Sequence, residues 1–512
     1  MKRFLVCLLL CALYVIVLSL VFPIRYEDND DITYAWIASG VYSGSPDAHL
    51  VFLNALYGSV VAGLYSFLPA VEWYTVLFLC FLSLSAAVCA HKVWTADIPS
   101  WERWLAIGLI GLMLTYCVLR LQFTLVAAAT AFAGVVLLCR RRWVGGGVLL
   151  VLGSLIRFEA AGMIGVMMVP ALFSAYQWDW KKSWLPLAAV LLLVIGCHKV
   201  ENLFYQSPEW QRFMTCCNLT ARGKINDNPN CWRVRKNLPE GVSETDYDLI
   251  TAFAPDPETA TPERLQAIDQ ALQHIPFIKK AKNIPNIFLP RYGWWLLWLT
   301  LAFLPVFLAA PNGKRWLAVI GFCLWLGMLL MVQLSASVKL RVFVSSLMPL
   351  LYLWLMTISA VRHWRWATCG AGMLLVIVLS FGLFQPIAKH LQQVRAANDV
   401  WEEQRALLHC RNGRQVITDG PDLHVEYIDA FRLRQAIDPC SFINPYCFSG
   451  CPLSPDFMSY RDFVGGRLLL FTTVPVNVKM RLKALQENYG IEADYEVVAQ
   501  TENYALVRFI AL

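Results

Sequence analysis

The chain of 512 residues is 58% hydrophobic, and its 43 Lys and Arg with 36 Asp and Glu make only 15% charged, against ~25% in soluble domains. Too few polar side chains remain to cover a soluble globule of this length, and the mean hydropathy of +0.51 agrees. The same composition excludes intrinsic disorder, and a net charge of +7 dispersed along the chain gives no case for nucleic acid. A polytopic α-helical membrane protein is what remains.

In chain order, Lys2-Arg3 precedes an apolar run from Phe4 to Phe22. A secretory signal has a similar start, but this run of about 19 residues is long enough to span a ~30 Å hydrocarbon core, and no small-x-small cleavage pattern follows. It reads as a retained first transmembrane helix. Further apolar runs occupy roughly 51–68, 73–90, 104–119, 123–139, 144–156, 160–177, 184–198, 294–310, 316–334, 342–360 and 367–384. The stretches 201–291 and 386–512 are too polar for a membrane. The expected organisation is therefore an N-terminal membrane module (1–200), a hydrophilic loop domain (201–291), C-terminal membrane helices (292–385) and a hydrophilic tail domain (386–512).

If every run crossed, the clusters Arg140-Arg141-Arg142, Lys181-Lys182, Lys314-Arg315 and Arg362/Arg365 would all lie outside, against the positive-inside rule. One early run must fail to cross. The segment 48–68, with Asn54, Tyr57, Gly58, Ser59 and Tyr65 among its apolar residues, reads as a helix lying in the outer interface. Eleven transmembrane helices then give an N-in, C-out topology with both hydrophilic domains extracytoplasmic. The cytoplasmic ends carry +10, the outer rims −1, the 201–291 loop zero and the tail −2.

This threading places the unusual polar residues on one side. After helix 1 comes Arg25-Tyr26-Glu27-Asp28-Asn29-Asp30-Asp31, then an amphipathic stretch from Ile32 to Gly40 and the loop that carries Asp47 and His49. Arg120 and Gln122 stand at the next outer turn, Arg157 and Glu159 at another, Lys339 and Arg341 at a later one. Four acids in five residues at a membrane face are costly unless they meet water, a cation or a substrate. Each residue also has a structural reading: Asn29 or Asp30 as a helix cap, Arg157 and Glu159 as an ion pair, Arg120 and Arg341 as snorkelling anchors, His49 as an interfacial side chain. The convergence favours a shared outward cavity.

The layout resembles the GT-C superfamily of integral-membrane glycosyltransferases, which includes the protein O-mannosyltransferases and the lipid A aminoarabinose transferase. The likeness rests on the acidic pair Asp30-Asp31, the helical run Ile32-Thr33-Tyr34-Ala35-Trp36-Ile37-Ala38-Ser39-Gly40, the interfacial segment 48–68, and Arg341 leading into a helix with Pro349 and Tyr352. It covers most of 1–200 plus 335–360. One departure stands out: some members carry an Asp shortly after an Arg in the second outer loop, where this chain has Arg120-Leu-Gln-Phe-Thr124.

The resemblance implies transfer of a sugar from a polyprenyl-phosphate donor to a lipid, glycan or protein acceptor, most simply at the outer face of a bacterial cytoplasmic membrane. Asp30 matches the catalytic acid, with Asp31 as its neighbour; a carboxylate can deprotonate an acceptor hydroxyl. Arg341, Lys339, Arg157 and Arg120 suit the donor phosphate, while Asp28, Glu159, His49 and Gln122 support the pocket. No cofactor is required by the residues. A divalent cation such as Mg or Mn, if one takes part, would be held by Asp28, Asp30 or Asp31 together with donor oxygens. A transporter or flippase for a lipid-linked or anionic substrate, and a glycan polymerase or ligase using a lipid-pyrophosphate donor, are the competing readings. The first expects internal repeats and ionisable residues at midplane, which are not seen.

The 201–291 loop has a helical pattern at about 261–282. The tail reads as α/β, with strands at Gln415–Thr418 and Arg467–Thr473, a helix at 476–489 ended by Gly490, and a hairpin of Tyr495–Gln500 with Ala505–Ile510. Of 16 cysteines, seven lie in the two hydrophilic domains. An oxidising exterior permits disulfides there, for instance among Cys440, Cys447 and Cys451, but spacing does not define a pairing. Asn218-Leu-Thr220 is a glycosylation sequon.

Overall fold

The computed structural model describes all residues except 1, 177–179, 221–224, 226–227, 229–230, 253, 276–277, 279–283, 336, 360–364, 419–424, 426–427, 437–441, 444–450, 454–458, 467 and 474–475. The apolar runs form helices, since a backbone without water nearby satisfies its own N–H and C=O groups within a helix. In order these are α1 (Lys2–Val21), α2 (Asn29–Ser39), α3 (Ala55–Phe67), α4 (Trp73–Trp94), α5 (Ser100–Leu119), α6 (Phe123–Leu138), α7 (Trp143–Ile156), α8 (Phe158–Met167), α9 (Val169–Tyr176), α10 (Trp180–Glu201), α11 (Pro208–Thr220), α12 (Glu244–Thr251), α13 (Pro262–Gln273), α14 (Ile284–Ala309), α15 (Asn312–Ser335), α16 (Leu340–Ile358) and α17 (Arg365–His409).

Among the described residues eight helices are long and apolar enough to cross a membrane, and a ninth arises if α8 and α9, bent by 47°, are one span. Pro170 follows that bend, at the start of α9 where a missing N–H costs nothing. The two remaining predicted spans are α6 and α7, with 16 and 14 residues. At 1.5 Å per residue they reach only about 24 and 21 Å. The expected eleven thus become eight full-length helices, one bent pair and two short helices. A further difference concerns the tail: the last membrane helix does not end near 385 but continues through Pro386 as one 45-residue helix.

The helix ends sort by charge. At one end Arg140 donates to Thr95 Oγ1 at 3.1 Å, Lys92 lies 5.5 Å from the Tyr352 ring centroid, Phe4 packs on His91 and Lys314 reaches Ser174. We call this the basic face. At the opposite, polar face sit the first loop, the 201–291 domain and the tail. Both ends of α3 stay on the polar face. Asn54, its N-cap, bonds the Leu155 carbonyl at the end of α7 and Glu201 at the end of α10; after its last turn, Glu72 accepts from the Arg434 N–H of the tail. Both ends of the segment 48–68 therefore meet the same face of the bundle, as a non-crossing helix would.

Close approach of α6 and α7 explains how two short helices hold together. A Cβ on Gly153 would stand 2.8 Å from the Ala127 carbonyl oxygen, one on Gly146 2.8 Å from that of Gly134, and one on Gly134 2.7 Å from the Leu150 nitrogen. Small residues let backbones touch where lipid supplies no hydrophobic drive for association.

The tail carries a five-stranded sheet in the order β2-β1-β3-β5-β4, with β1 (Gln415–Thr418), β2 (Phe442–Ile443), β3 (Leu468–Thr473), β4 (Ala493–Gln500) and β5 (Tyr504–Ala511). β1 runs parallel to both β2 and β3, and β5 is antiparallel to β3 and β4. Central β3 opens on four consecutive apolar residues, Leu468 to Phe471, because both its faces are covered, whereas edge β4 is partly exposed. The helix α18 (Val476–Tyr489) ends at Gly490, whose φ of +65° suits a left-handed cap. The two-residue strand β2 carries no pattern long enough to be read beforehand. Tyr489 donates at 2.6 Å to Asp256 of the 201–291 domain, and Asn488 donates at 2.9 Å to Asp246, so the two hydrophilic domains share a seam. Burial there lifts the Asp256 carboxyl to about 6, against the pull of the Tyr489 hydroxyl. Of the cysteines considered for bridging, Cys440 and Cys447 lie outside the described residues, and Cys451 is a buried free thiol.

Replacing Gly153 by Leu drives a side chain into the α6 backbone. Overpacking of this kind costs about 3 kcal/mol. A clear loss of the monodisperse fraction after a heat step in fluorescence-detected gel filtration is the expected result, with Gly63→Leu, where nothing lies within 4 Å of a Cβ, as the silent control.

Candidate functional site

The acidic run folds as a loop leading into α2. Tyr26 forms a parallel bridge with Leu121, and the Glu27 N–H donates to the Leu121 carbonyl at 2.9 Å, which joins the first outer loop to the turn between α5 and α6. Asp28 occupies the N-cap position of α2 in extended backbone, yet its side chain makes no capping bond. It pairs instead with Arg341, at the start of α16. Capping thus does not account for the acids.

Three arginines meet carboxylates across the polar face: Arg25 to Asp429 at 3.0 Å, Arg120 to Glu27 at 3.0 Å, and Arg341 to Asp28. Asp30 and Asp31 follow in the first turn of α2, both buried. The Tyr74 hydroxyl donates to Asp31 Oδ1 at 3.0 Å, and the Phe123 N–H donates to the same oxygen at 3.1 Å. Asp31 Oδ2 has no hydrogen-bond partner among the described residues, nor has the nearby buried Tyr57 hydroxyl. Burial, reinforced by the negative charges of Asp28 and Asp30, holds the Asp31 carboxyl well above the usual carboxylate range; the Tyr74 hydrogen bond and Arg341 oppose it.

Arg157 reaches the same region through aromatic rings. Its guanidinium lies 5.2 Å from the Phe52 centroid and 5.4 Å from that of Phe123, the residue whose N–H holds Asp31. Those two rings also flank Tyr34 of α2. Arg157 pairs with Glu159 at 3.0 Å. Residues i and i+2 meet here because the turn places Arg157 in extended backbone just before α8 begins. Lys339 is the N-cap residue of α16, two positions before Arg341, with no side-chain capping bond.

Two expected members have other work. Gln122 is the N-cap of α6, its Oε1 accepting from the Thr124 and Leu125 N–H groups at 2.6 and 3.3 Å. His49 stacks on Trp210 of the 201–291 domain with centroids 4.4 Å apart, and bonds the Phe204 carbonyl. Burial disfavours its imidazolium, but Asp47, 2.7 Å from Nδ1, outweighs that and raises its pKa. It clamps the loop domain rather than joining the acids.

The expected amphipathic character of α2 is also corrected. Residues 30 to 39 are all buried, because the tail lies over the helix: Trp36 Nε1 donates to the Leu433 carbonyl at 2.8 Å, and the Ala430 N–H to the Ile24 carbonyl at 3.2 Å. Sequence reasoning missed Tyr74 and Asp429 as site partners. Tyr74 offered no signal, being one aromatic residue among several in an apolar run.

Among the described residues no group of three His, Cys, Asp or Glu side chains could hold a metal ion. Asp28 is engaged by Arg341, and one Asp31 oxygen by two donors.

No family model matches the sequence, and no curated protein matches it. The structure is similar to the crystal structure of ArnT from Cupriavidus metallidurans in the apo state, at 13% identity and a TM-score of 0.39, with 99% of this chain and 98% of that chain covered. At that TM-score the likeness assigns neither family nor activity.

An acid whose pKa is raised on folding favours the folded state least once ionised, so its contribution declines as pH rises from ~4 through its folded value. Asp31→Asn keeps an acceptor for Tyr74 and Phe123 and removes that penalty. Its melting temperature at pH 8 is expected to exceed that of the parent, with the difference vanishing at pH 4. A lower melting temperature at pH 8 contradicts a raised Asp31.

Proposed function

We propose that the protein is a membrane glycosyltransferase of GT-C type that moves a sugar from a polyprenyl-phosphate-linked donor to a lipid, glycan or protein acceptor at the outer face of a cytoplasmic membrane. The observation that carries this reading is the buried Asp31 in the first turn of α2, beside Asp30 and the Asp28–Arg341 pair. A proton acceptor of raised affinity and a fixed guanidinium are the two groups that glycosyl transfer from a lipid phosphate needs, one at each end of the bond exchange.

In this mechanism the acceptor hydroxyl oxygen forms a bond to the sugar's anomeric carbon while the bond from that carbon to the phosphate oxygen breaks. The hydroxyl proton passes to a carboxylate of the Asp30-Asp31 pair, and the carrier phosphate leaves as an anion. Asp31, whose second oxygen has no partner among the described residues, binds the proton more strongly than an ordinary carboxylate. Arg341 meets the growing negative charge by partial exchange of Asp28 for phosphate, with Lys339 two residues before it and Arg157 over the Phe123 ring. A bidentate guanidinium suits a phosphate better than an ammonium does.

The charge partition supports the orientation. With Arg3, Lys92, Arg103, Arg140-Arg142 and Lys314-Arg315 on the cytoplasmic side, the polar face with its acids and both hydrophilic domains is extracytoplasmic. A polymerase or ligase reading is favoured by a pocket centred on arginine and the 201–291 loop with Asp30 and Asp31 remote; the pairing of Asp28, two residues before Asp30, with Arg341 supports the transferase reading instead.

Transfer by purified protein from a radiolabelled polyprenyl-phosphate sugar is expected to fall about 10²-fold or more in Asp30→Asn or Asp31→Asn, and by about 10²-fold in Arg341→Gln. Wild-type rates in both Asp variants, at normal expression, would sink the assigned base. For orientation, alkaline phosphatase fused after Leu512 is expected to be active in cells, and green fluorescent protein fused there to be dark; the reverse pair of results inverts the topology.

A further inference from the structure

A second feature lies in the basic half of the bundle. Helices α4, α5, α6 and α16 line an open cavity of about 110 Å³. Its wall follows α5 from Ala106 to Cys117, about 16 Å along the axis at 1.5 Å per residue. The lining is apolar except at one end, where Lys92 is its charged residue. Leu114, Cys117 and Met348 close the end toward the polar face and are buried, whereas Lys92, Val93 and Tyr352 are partly exposed. The mouth of the slot is therefore at the basic face, remote from the acidic cluster.

Three polar groups stand at that mouth. Lys92 Nζ lies 5.5 Å from the Tyr352 ring centroid. The Tyr352 hydroxyl is buried and has no hydrogen-bond partner among the described residues. Arg140 is fixed beside them by its bond to Thr95. A narrow apolar slot with two cations and an unsatisfied hydroxyl at its opening has the chemistry of an amphiphile site for one hydrocarbon chain and one anion. A lysine that merely snorkels to the headgroups requires neither the slot nor the buried hydroxyl.

We propose that this slot binds an acyl chain of an anionic phospholipid drawn from the leaflet at the basic face, with the lipid phosphate on Lys92, Arg140 and the Tyr352 hydroxyl. The closed end near Cys117 separates this lipid from any chain that descends from the polar face. The site is independent of the proposed transfer reaction and would stand if that reaction were another.

Native mass spectrometry of the full-length protein, delipidated and then given equal amounts of dioleoyl phosphatidylglycerol and dioleoyl phosphatidylcholine, tests it. One phosphatidylglycerol is expected to be retained in preference by about thirtyfold, as two cations acting on one anionic headgroup imply. The double variant Lys92→Gln/Arg140→Gln is expected to lose the preference. Ala129→Phe, which fills the slot but leaves both cations, is expected to lose the bound lipid; the smaller Ala106→Leu carries the same expectation should Ala129→Phe not yield a monodisperse protein. Equal retention of the two lipids, or unchanged phosphatidylglycerol in the slot-filling variants, overturns the proposal. So do displacement by inorganic phosphate alone, which marks a free-anion site, and preferred retention of undecaprenyl phosphate, which assigns the slot to a carrier lipid.

Discussion

The pairing of Asp28 with Arg341 joins side chains 313 positions apart in the chain. Ion pairs half-withdrawn from water are tolerated where geometry and neighbours compensate for lost hydration. Here the compensation comes from the whole polar face, where Arg25–Asp429 and Arg120–Glu27 repeat the arrangement on either side. These three contacts tie the first loop to the tail, to the α5–α6 turn and to the start of α16. Loss of the first loop's position would release three separate elements at once.

Burial of Asp31 follows from that frame. Its oxygen Oδ1 is held by Tyr74 at the start of α4 and by the first N–H of α6, so two membrane helices end on one carboxylate. The helix N-terminus favours negative charge, while the apolar surroundings and two neighbouring acids disfavour it. The balance leaves a buried proton-binding group of raised affinity at the polar end of the bundle. The tail segment around Ala430 and Leu433 completes the enclosure by covering α2, which makes the tail domain part of the site's architecture.

The same chain places its cations in two different settings. On the polar face the named arginines are matched by acids; on the basic face Lys92 and Arg140 have aromatic and hydroxyl neighbours. One face is therefore internally neutralised and the other retains charge for the membrane. That division is the physical content of a net charge which, summed, is only +7.

Much of this was legible in the residue order. Hydrophobic runs of spanning length, basic clusters at alternate turns and the alternating strands of the tail are local patterns, each determined by the residues within it. The need for one non-crossing segment also came from charge alone, and α3 lies along the polar face as that count required. The bend at Met168 and the continuation of α17 beyond Pro386 were not legible, because they depend on what packs beside them: a neighbouring helix, a covering domain. For the site, sequence determined that acids and bases share a face. Only tertiary structure decided that Asp28 takes Arg341, that Asp31 is buried on Tyr74 and the Phe123 N–H, and that Gln122 and His49 serve a cap and a clamp. Ionisable groups take their character from desolvation and from partners distant in sequence, and neither is encoded in local spacing.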